Sequence, residues 1–364
     1  MDSFAESRGE TTATMDLLFD GMVTPHDIYG SDGSVLLLRQ GRTLQVSQIA
    51  ALKRLNAGEN IIRVSIETRK MLLEHNLSCK LVSQSEQEME TGYVDVVEET
   101  LTLLEEITDT SSLSHESLFE VSEELSDWIS NTNPDRILEL VNAIAPADEY
   151  LQRHCTDVSL LNGLIGKWLE LPKDDIEVLV LAGLVHDTGK AMIPPEILHA
   201  PRKLAVAEFE VMKTHPSYGY DLLPAFSDAV RQGAIGHHEK FSGKGYPHGV
   251  TGDGIPFEAR ITAVSDIYDA MVSRRAYKDA NSPFHIIAML NNQFAADLDP
   301  SLVDLFIRNM PGELVNKPVM LSNGEIGAIH AVDADDIEYP YVRAGGEVIK
   351  TNKHLFCAYM YYEE

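Results

Sequence analysis

Apolar residues recur every three or four positions through most of residues 133–310, and this spacing is typical of one face of an α-helix. One predicted helix carries a single apolar stripe, formed by Val158, Leu161, Ile165, Trp168 and Leu169. Residues 176–184 are apolar on nearly every side, so we expect this helix to lie at the centre of a bundle. Two further helix starts are predicted by the pairs Ser282-Pro283 and Asp299-Pro300.

The first part of the chain instead mixes short apolar runs with turn residues. Gly30, Asp32 and Gly33 lie between Ile28 and Val35, which predicts a β-hairpin. Residues 46–57 have apolar positions at helical spacing, and residues 63–66 predict another strand. Together these segments predict a small α+β module.

The pattern changes again after Gly312. Strand-like runs flank Asn323-Gly324, which is a strong signal for a two-residue hairpin turn. The runs YPYVRA and LFCAYMYY predict further strands. The end of the chain is therefore predicted to be a small β module.

These patterns predict a mainly α protein in three parts. Residues 1–90 form a small α+β N-terminal domain, for which we expect a regulatory role. Residues 91–311 form a helical domain that begins with acidic helices, and residues 312–364 form a short β-rich C-terminal extension.

The segment between Lys80 and Arg136 contains 15 acidic residues and no lysine or arginine. Its apolar residues recur at spacings of three and four, at Val94, Val97, Leu101, Leu104, Leu118, Val121, Leu125 and Trp128. This pattern predicts amphipathic helices with a solvated acidic face. An acidic surface for a protein partner is the alternative.

The formal net charge of −28 argues against polymeric nucleic acid and anionic membranes as partners, because both require a basic surface. A small anionic ligand on a local cationic patch is compatible with that charge. Cys79, Cys155 and Cys357 are widely spaced, so we expect neither a disulfide framework nor a thiolate zinc site. The N-terminus lacks a secretion signal and no long apolar run follows, which predicts a soluble cytoplasmic protein.

The candidate chemistry lies in the helical region. Five histidines and two aspartates lie in or at the ends of apolar helices: His154, His186, Asp187, His215, His237, His238 and Asp266. Such groups are costly in apolar surroundings unless they are paired or bind a metal. Imidazole and carboxylate donors without thiolates suit Fe, Mn, Co, Ni or Zn.

Seven such side chains exceed the needs of one ion and suit two ions that share a carboxylate. A site of this kind holds a hydroxide between the ions and clamps the attacking and leaving oxygens of a phosphoryl displacement. Neighbouring residues on a helix point about 100° apart. His186-Asp187 and His237-His238 can therefore serve one site if a helix ends at each pair.

A phosphate substrate also requires cations near the site. Lys190 follows Asp187 by three residues, Arg275 and Lys278 follow Asp266, and Lys203 lies between the histidine segments. Tyr246 lies in a loop punctuated by glycine and proline, where its ring suits stacking on a base or packing on a neighbour.

The motifs HDTGK (residues 186–190) and HHEKFSGKGYP (residues 237–247) together resemble the HD-GYP family, a group of HD metal-dependent phosphohydrolases that cleaves bacterial cyclic dinucleotides. The resemblance covers residues 151–290. It implies a helical bundle around a site for two or three metals.

The resemblance also implies individual roles. The metal ligands would be His154, His186, Asp187, His215, His237, His238 and Asp266, with Asp187 as the bridging carboxylate. Lys190 would contact the scissile phosphate, and Tyr246 would lie near the ligand. Arg275 and Lys278 would hold the phosphates of the ligand.

The sequence departs from the family pattern at two places. Members with a third metal carry a glutamate one turn before the first histidine, where this chain has Tyr150, and Glu149 points elsewhere on a regular helix. We therefore expect two divalent ions, Fe or Mn. Arg274 replaces the aspartate usual in that stretch, which puts the nucleotide preference in doubt.

The expected activity is hydrolysis of cyclic di-GMP to linear pGpG, and further to GMP, by a hydroxide held between two metals. Three alternatives stay open: a phosphodiesterase for 3′,3′-cyclic GMP-AMP, a non-catalytic dinucleotide receptor or scaffold, and a phosphohydrolase for free nucleotides. A homodimer and a protein partner at the GYP loop or the acidic helices also stay open.

Overall fold

The computed structural model describes residues 10–14, 22, 24, 27–30, 36–40, 42, 61–65, 91–103, 114–142, 147–200, 202–273 and 282–360. The chain divides into two compact units, Met1–Thr91 and Gly92–Glu364. The three-part division of the sequence stays a prediction.

The first unit contains a four-stranded sheet. Its strands are β1 (Glu10–Thr14), β2 (Ile28–Gly30), β3 (Leu36–Leu38) and β4 (Ile61–Ser65), in the order β1-β4-β2-β3. All neighbours are antiparallel. The pairing of β2 with β3 confirms the predicted hairpin, and β4 confirms the strand predicted at residues 63–66. The helix predicted at residues 46–57 lies outside the described residues.

The second unit is mainly helical, as predicted. Its helices are α1 (residues 91–103), α2 (His115–Asn131), α3 (Pro134–Asn142), α4 (Ala147–Trp168), α5 (Lys173–Val185), α6 (Pro195–Leu198), α7 (Val206–Met212), α8 (His215–Leu222), α9 (Asp228–Gly236), α10 (Phe257–Ser273), α11 (Pro283–Asn292) and α12 (Pro300–Glu313). Two 3₁₀ turns lie at Thr188–Met192 and Gly252–Gly254. Ser282 and Asp299 accept backbone N–H groups at the starts of α11 and α12, which confirms both predicted caps.

Helix α5 lies at the centre of the bundle, which confirms the prediction from its all-round apolar sequence. Every residue from Leu179 to Val185 is buried. The helix packs against α2, α4, α9 and α10. Its contact with α4 is close, since a Cβ on Gly183 would lie 2.6 Å from the Cα of Ser159. Since α4 and α5 carry predicted site residues, this contact fixes the distance between them.

The described parts of the acidic segment are mainly helical, but the predicted apolar face of α1 was partly wrong. Tyr93, Val96, Val97 and Leu103 are buried, whereas Val94 is 52% exposed. The buried positions follow a helical phase set by Tyr93 rather than by Val94. In α2, the buried apolar residues are Leu118, Val121, Leu125 and Ile129. Glu116, Glu120, Glu123, Glu124 and Asp127 of α2 are exposed, so the solvated acidic face is confirmed there.

The chain ends in a five-stranded antiparallel sheet. Its strands are β5 (Pro318–Leu321), β6 (Ile326–Ala331), β7 (Tyr341–Ala344), β8 (Glu347–Lys350) and β9 (Cys357–Met360), in the order β8-β7-β6-β5-β9. The β5–β6 hairpin confirms the prediction at Asn323-Gly324. Sequence analysis missed β8, which follows a turn at Gly345-Gly346 where both φ angles are positive. Phe284 of α11 packs into the core of this sheet.

No helix in the described part of the chain combines the length and the apolar character that a bilayer crossing requires.

Enlarging Gly183 tests the close contact between α4 and α5. We expect Gly183→Ala to lower the free energy of unfolding by about 1–3 kcal/mol, because the added methyl group overpacks a buried helix contact. Denaturant unfolding measures this change. Gly312→Ala is the matched control, since no described atom lies within 4 Å of its added Cβ. That variant should be neutral or more stable by up to about 1 kcal/mol. Equal losses in both variants would contradict the close packing.

Candidate metal centre

The structure brings the seven predicted ligand side chains together from five helices or helix ends. They form three overlapping groups, each with donor atoms within 4.8 Å of one another: His154, His186 and Asp266; His186, Asp187 and His237; and His215, His237 and His238. The sequence analysis predicted this convergence from residue type alone. Their roles as ligands stay a prediction.

Both neighbouring pairs lie at the ends of helices. His186 follows the end of α5 and still has helical backbone angles. The backbone leaves the helical conformation at Asp187, where φ is −102° and ψ is 5°. His237 occupies the same place after α9. Because the helix ends there, the two adjacent side chains can point toward the same place. In a continuing helix they would point about 100° apart.

The carboxylate of Asp187 lies between two sets of imidazoles. Its Oδ2 atom lies 3.3 Å from Nε2 of His186 and 3.6 Å from Nε2 of His154. Its Oδ1 atom lies 3.4 Å from Nε2 of His215 and 3.8 Å from Nε2 of His237. Each carboxylate oxygen thus faces a different pair of nitrogen donors.

Asp266 completes one side of the centre. Its Oδ1 atom lies 3.3 Å from Nε2 of His154, and its Oδ2 atom lies 4.0 Å from Nδ1 of His238. The second carboxylate therefore lies beside the His154 and His186 group.

Three histidines are oriented by their own backbone. Nδ1 of His186, His215 and His237 lies 2.7–2.8 Å from the carbonyl oxygen three residues earlier, in Gly183, Met212 and Ala234 respectively. These carbonyls belong to the last turns of helices, where carbonyl groups lack intrahelical partners. When Nδ1 donates its hydrogen, Nε2 presents a lone pair to the centre, as metal ligands require.

His154 is oriented differently because it lies inside α4, where the backbone carbonyls serve the helix. Its Nδ1 atom lies 2.7 Å from Oδ2 of Asp269 on α10. Sequence analysis missed Asp269, which is fully buried. Its position three residues after Asp266 on an apolar helix is the signal that would have found it.

Burial and nearby charges shift the pKa values of several side chains in the centre. Burial lowers the pKa of His237 well below its usual range and lowers the pKa of His238 to about 4, so both imidazoles are neutral donors. Burial alone would raise the pKa of Asp187, but Lys190 and the imidazoles hold it well below the usual value. Burial alone would lower the pKa of His154, but its hydrogen bonds with Asp187, Asp266 and Asp269 raise it well above the usual value.

Two buried atoms at the centre fit a bound cation. Nε2 of His186 and Oδ1 of Asp187 have no hydrogen-bond partner in the described part of the chain. Buried polar atoms rarely lack partners, and a metal ion would satisfy both. The nitrogen and oxygen donors suit a divalent transition metal. These clusters could therefore hold divalent ions.

Lys190 and Tyr246 both lie at the centre. The Lys190 ammonium forms an ion pair with Oδ2 of Asp187. The Tyr246 ring lies 4.8 Å from the His238 ring, and the ammonium of Lys213 lies 5.9 Å from the Tyr246 ring. Gly189 is required beside Lys190, because a Cβ there would overlap the carbonyl oxygen of His215.

Several predicted residues cannot be placed. Arg275 and Lys278, the predicted phosphate contacts, lie outside the described residues, as does Arg274. The side chains of Glu149 and Tyr150 also lie outside the described part. Lys203 is described and is exposed.

A buried carboxylate that sequence analysis missed holds the GYP loop. Glu239 is 5% exposed and accepts the backbone N–H groups of His248, Gly249 and Val250 at 2.6, 3.1 and 3.0 Å. The other end of the loop is held by Asp297, which accepts from Lys240 at 2.7 Å and from Ser242 at 2.9 Å. The loop therefore presents Tyr246 from two anchored ends.

Neutralising Glu239 tests this anchor without any assay of activity. We expect Glu239→Gln to speed amide hydrogen exchange at residues 248–250 by about 10-fold or more, because hydrogen bonds to a charged acceptor contribute about 1.5–3 kcal/mol. Mass spectrometry of the exchanged loop peptide measures this. Glu325→Gln, in the exposed β5–β6 turn, is the control and should leave the loop unchanged. Unchanged exchange in Glu239→Gln would show that the carboxylate does not hold the loop.

Comparisons with known proteins agree with this geometry. Residues 76–302 match the model of the HD domain family. The chain is 37% identical over 186 residues to the cyclic di-GMP phosphodiesterase response regulator RpfG of Xanthomonas campestris, covering 49% of each chain. It is 31% identical over 185 residues to 3′3′-cGAMP-specific phosphodiesterase 2 of Vibrio cholerae, covering 50% of this chain and 35% of that one.

Among solved structures, Bd1817, an HDG"Y"P protein from Bdellovibrio bacteriovorus, matches 81% of this chain and 97% of that chain, with a TM-score of 0.49 and 15% identity. The present chain spans about half the length of the first relative and about a third of the second. The family match covers more than half of the present chain. The resemblance to the HD-GYP group is confirmed, and the chain belongs to the HD domain family.

Proposed function

We propose that this chain hydrolyses a cyclic dinucleotide, cyclic di-GMP, to linear pGpG and further to GMP, with two divalent ions bound at the centre. The observation that carries this proposal is the Asp187 carboxylate, whose two oxygens face two different pairs of imidazole nitrogens. A single ion would leave one of those pairs without a role. The similarity to RpfG, a cyclic di-GMP phosphodiesterase, supports the choice of substrate.

The proposed ligand sets follow from the three groups of donors. His154, His186, Asp187 and Asp266 would hold one ion, and Asp187, His215, His237 and His238 the other. Asp187 would serve both. Fe or Mn is part of the proposal, because imidazole and carboxylate donors without thiolates suit these metals. When bound, divalent ions at such a site polarise the phosphoryl oxygens and make water acidic enough to act as a nucleophile near neutral pH.

The reaction adds one water to one phosphodiester. The bond between phosphorus and the 3′ oxygen breaks, the 3′ oxygen takes up a proton, and the linear product keeps a 5′ phosphate. Charge grows on the non-bridging oxygens of phosphorus during this step. Lys190, fixed beside Asp187, is the described cation placed to offset that charge.

The remaining proposed substrate contacts come from the GYP loop and from the sequence that follows Asp266. Tyr246 is held by the anchored loop with its ring beside His238, where it would contact the nucleotide near the ions. Arg275 and Lys278 are proposed to hold phosphates because they follow Asp266 closely in the sequence. Arg275 and Lys278 would give a local positive charge that suits the two phosphates of a cyclic dinucleotide, although the net charge of the chain is −28.

A second candidate substrate is 3′,3′-cyclic GMP-AMP, favoured by the similarity to the Vibrio cholerae phosphodiesterase. Both dinucleotides share the scissile phosphodiester, so the metal centre serves either. The non-catalytic receptor is disfavoured because all seven ligand side chains converge. Free nucleotides are disfavoured because they give the GYP loop no role.

We also propose a cytoplasmic location for the protein. Cys155 and Cys357 are buried free thiols, which suits a reducing cytoplasm. A homodimer, and a protein partner at the GYP loop or the acidic helices, stay predictions.

Removing the shared carboxylate tests the proposed activity. We expect Asp187→Asn to lose more than about 100-fold in turnover and to bind fewer ions, since even outer partners of ligands contribute about 10–100-fold. Metal analysis and chromatography of products from cyclic di-GMP, 3′,3′-cyclic GMP-AMP and GTP measure both. Asp304→Asn, on an exposed face of α12, is the control. Full turnover in Asp187→Asn would contradict the proposal.

Lys190 gives a test that separates chemistry from metal binding. We expect Lys190→Met to lower kcat by about 10²–10³-fold, the loss typical of one group that stabilises transition-state charge. The metal content should not fall, because Lys190 is not a proposed ligand. The exposed Lys203 supplies the control variant Lys203→Met. A Lys190→Met enzyme with unchanged kcat would remove this lysine from the reaction.

A further inference from the structure

Tyr93 connects the start of α1 to the helix that carries His154. The ring is buried, and its hydroxyl group donates a hydrogen bond to Oδ1 of Asp157 at 2.5 Å. The hydroxyl oxygen of Tyr93 also accepts a hydrogen bond from Nε of Arg153 at 2.7 Å. One hydroxyl group thus joins two charged side chains of α4.

Those two side chains flank His154. Arg153 precedes it directly, and Asp157 lies three residues later on the same side of the helix. The guanidinium of Arg153 also lies 5.1 Å above the Tyr93 ring and donates to the carbonyl oxygen of Leu140 on α3 at 2.6 Å. The part of α4 around His154 is therefore fixed to α1 and α3 by directed bonds.

The network also lies close to the carboxylate that orients His154. Asp157 is 2% exposed and lies within electrostatic reach of Asp269, the partner of Nδ1 of His154. Arg153 lies 3.8 Å from Oδ2 of Asp157 and is within reach of Asp269 as well. Asp269 thus contacts His154 directly, while Asp157 acts on the same stretch of α4 through Tyr93 and Arg153.

We infer that Tyr93, Arg153 and Asp157 are positioning residues for His154, and that the start of α1 sets the affinity for the ion that His154 binds. This inference rests on the metal site of the proposed function. The other three histidines with a fixed Nδ1 need no such support, since a carbonyl group three residues earlier, in the last turn of a helix, orients each of them. The effect is therefore confined to one of the two ions.

The position of Tyr93 near the start of α1 is the basis for the inferred regulatory role of this network. Helix α1 begins at the boundary between the compact units Met1–Thr91 and Gly92–Glu364. A displacement of the start of α1 would remove the hydroxyl group from Asp157 and Arg153. The buried Asp157 and the partly buried Arg153 would then each lose a partner, and α4 would shift to pair them again. Metal occupancy would thereby respond to the position of the start of α1.

The test measures metal binding directly in the full chain. Metal-free protein is titrated with Mn²⁺, and free Mn²⁺ is followed by electron paramagnetic resonance to give two dissociation constants. We expect Tyr93→Phe to weaken one of them about 10-fold, at the low end of what outer partners of ligands contribute. The other constant should stay within about twofold. Asp157→Asn should weaken the binding of the same ion.

The double variant and a control sharpen the result. If the two side chains act through one bond, the double variant Tyr93→Phe and Asp157→Asn should lose no more affinity for the ion than the single variant with the larger loss. Tyr220→Phe is the matched control, because it removes a tyrosine hydroxyl near Asp228 from α8, the helix of His215, away from Arg153 and Asp157. Both constants should be unchanged in it.

Two outcomes would overturn the inference. One is wild-type affinity for both ions in Tyr93→Phe and in Asp157→Asn. The other is an equal loss for both ions together with a lower melting temperature, which would show general loosening of the fold. Failure of the proposed function would look different, because the wild-type chain itself would then bind no pair of Mn²⁺ ions.

Discussion

One carboxylate, that of Asp187, sets the arrangement of the helical unit. Its two oxygens lie 3.3–3.8 Å from four imidazole nitrogens that arrive from four places in the chain. A buried carboxylate surrounded by neutral nitrogen donors is stable only with a cation near it. The Lys190 ammonium provides one positive charge from the side, and bound divalent ions would provide the rest. The bundle is thus organised around a charge that it cannot satisfy with apolar packing.

The imidazoles around that carboxylate are held by two kinds of support. His186, His215 and His237 each contact a carbonyl group three residues earlier, in the last turn of a helix, so local backbone geometry is enough to orient them. His154 lies inside a helix and depends on Asp269 from α10, with Tyr93 and Asp157 behind it. The ligand that needs tertiary support is the one through which a distant segment can act. Local backbone geometry orients three of the imidazoles, while the orientation of His154 depends on contacts between helices.

Most of the fold and the convergence of the seven candidate ligands followed from the sequence, because both depend on patterns within short segments. The apolar surface of α5 predicted its central place, and residue type in apolar helices predicted all seven converging side chains. Asp269 and Glu239 were missed because their partners lie on other segments, and only the folded chain brings them together. Val94 was assigned to the wrong face because α1 carries apolar residues on adjacent positions, and spacing alone does not fix the phase.

Diffraction from crystals of the metal-loaded protein, with anomalous scattering at the metal edge, tests the central claim most directly. The account predicts two ions about 3.5–4 Å apart, the separation typical of two-metal sites. One should be ligated through Oδ2 of Asp187 with His154 and His186, and the other through Oδ1 with His215 and His237. A single ion, or a pair bound without Asp187, would contradict the account.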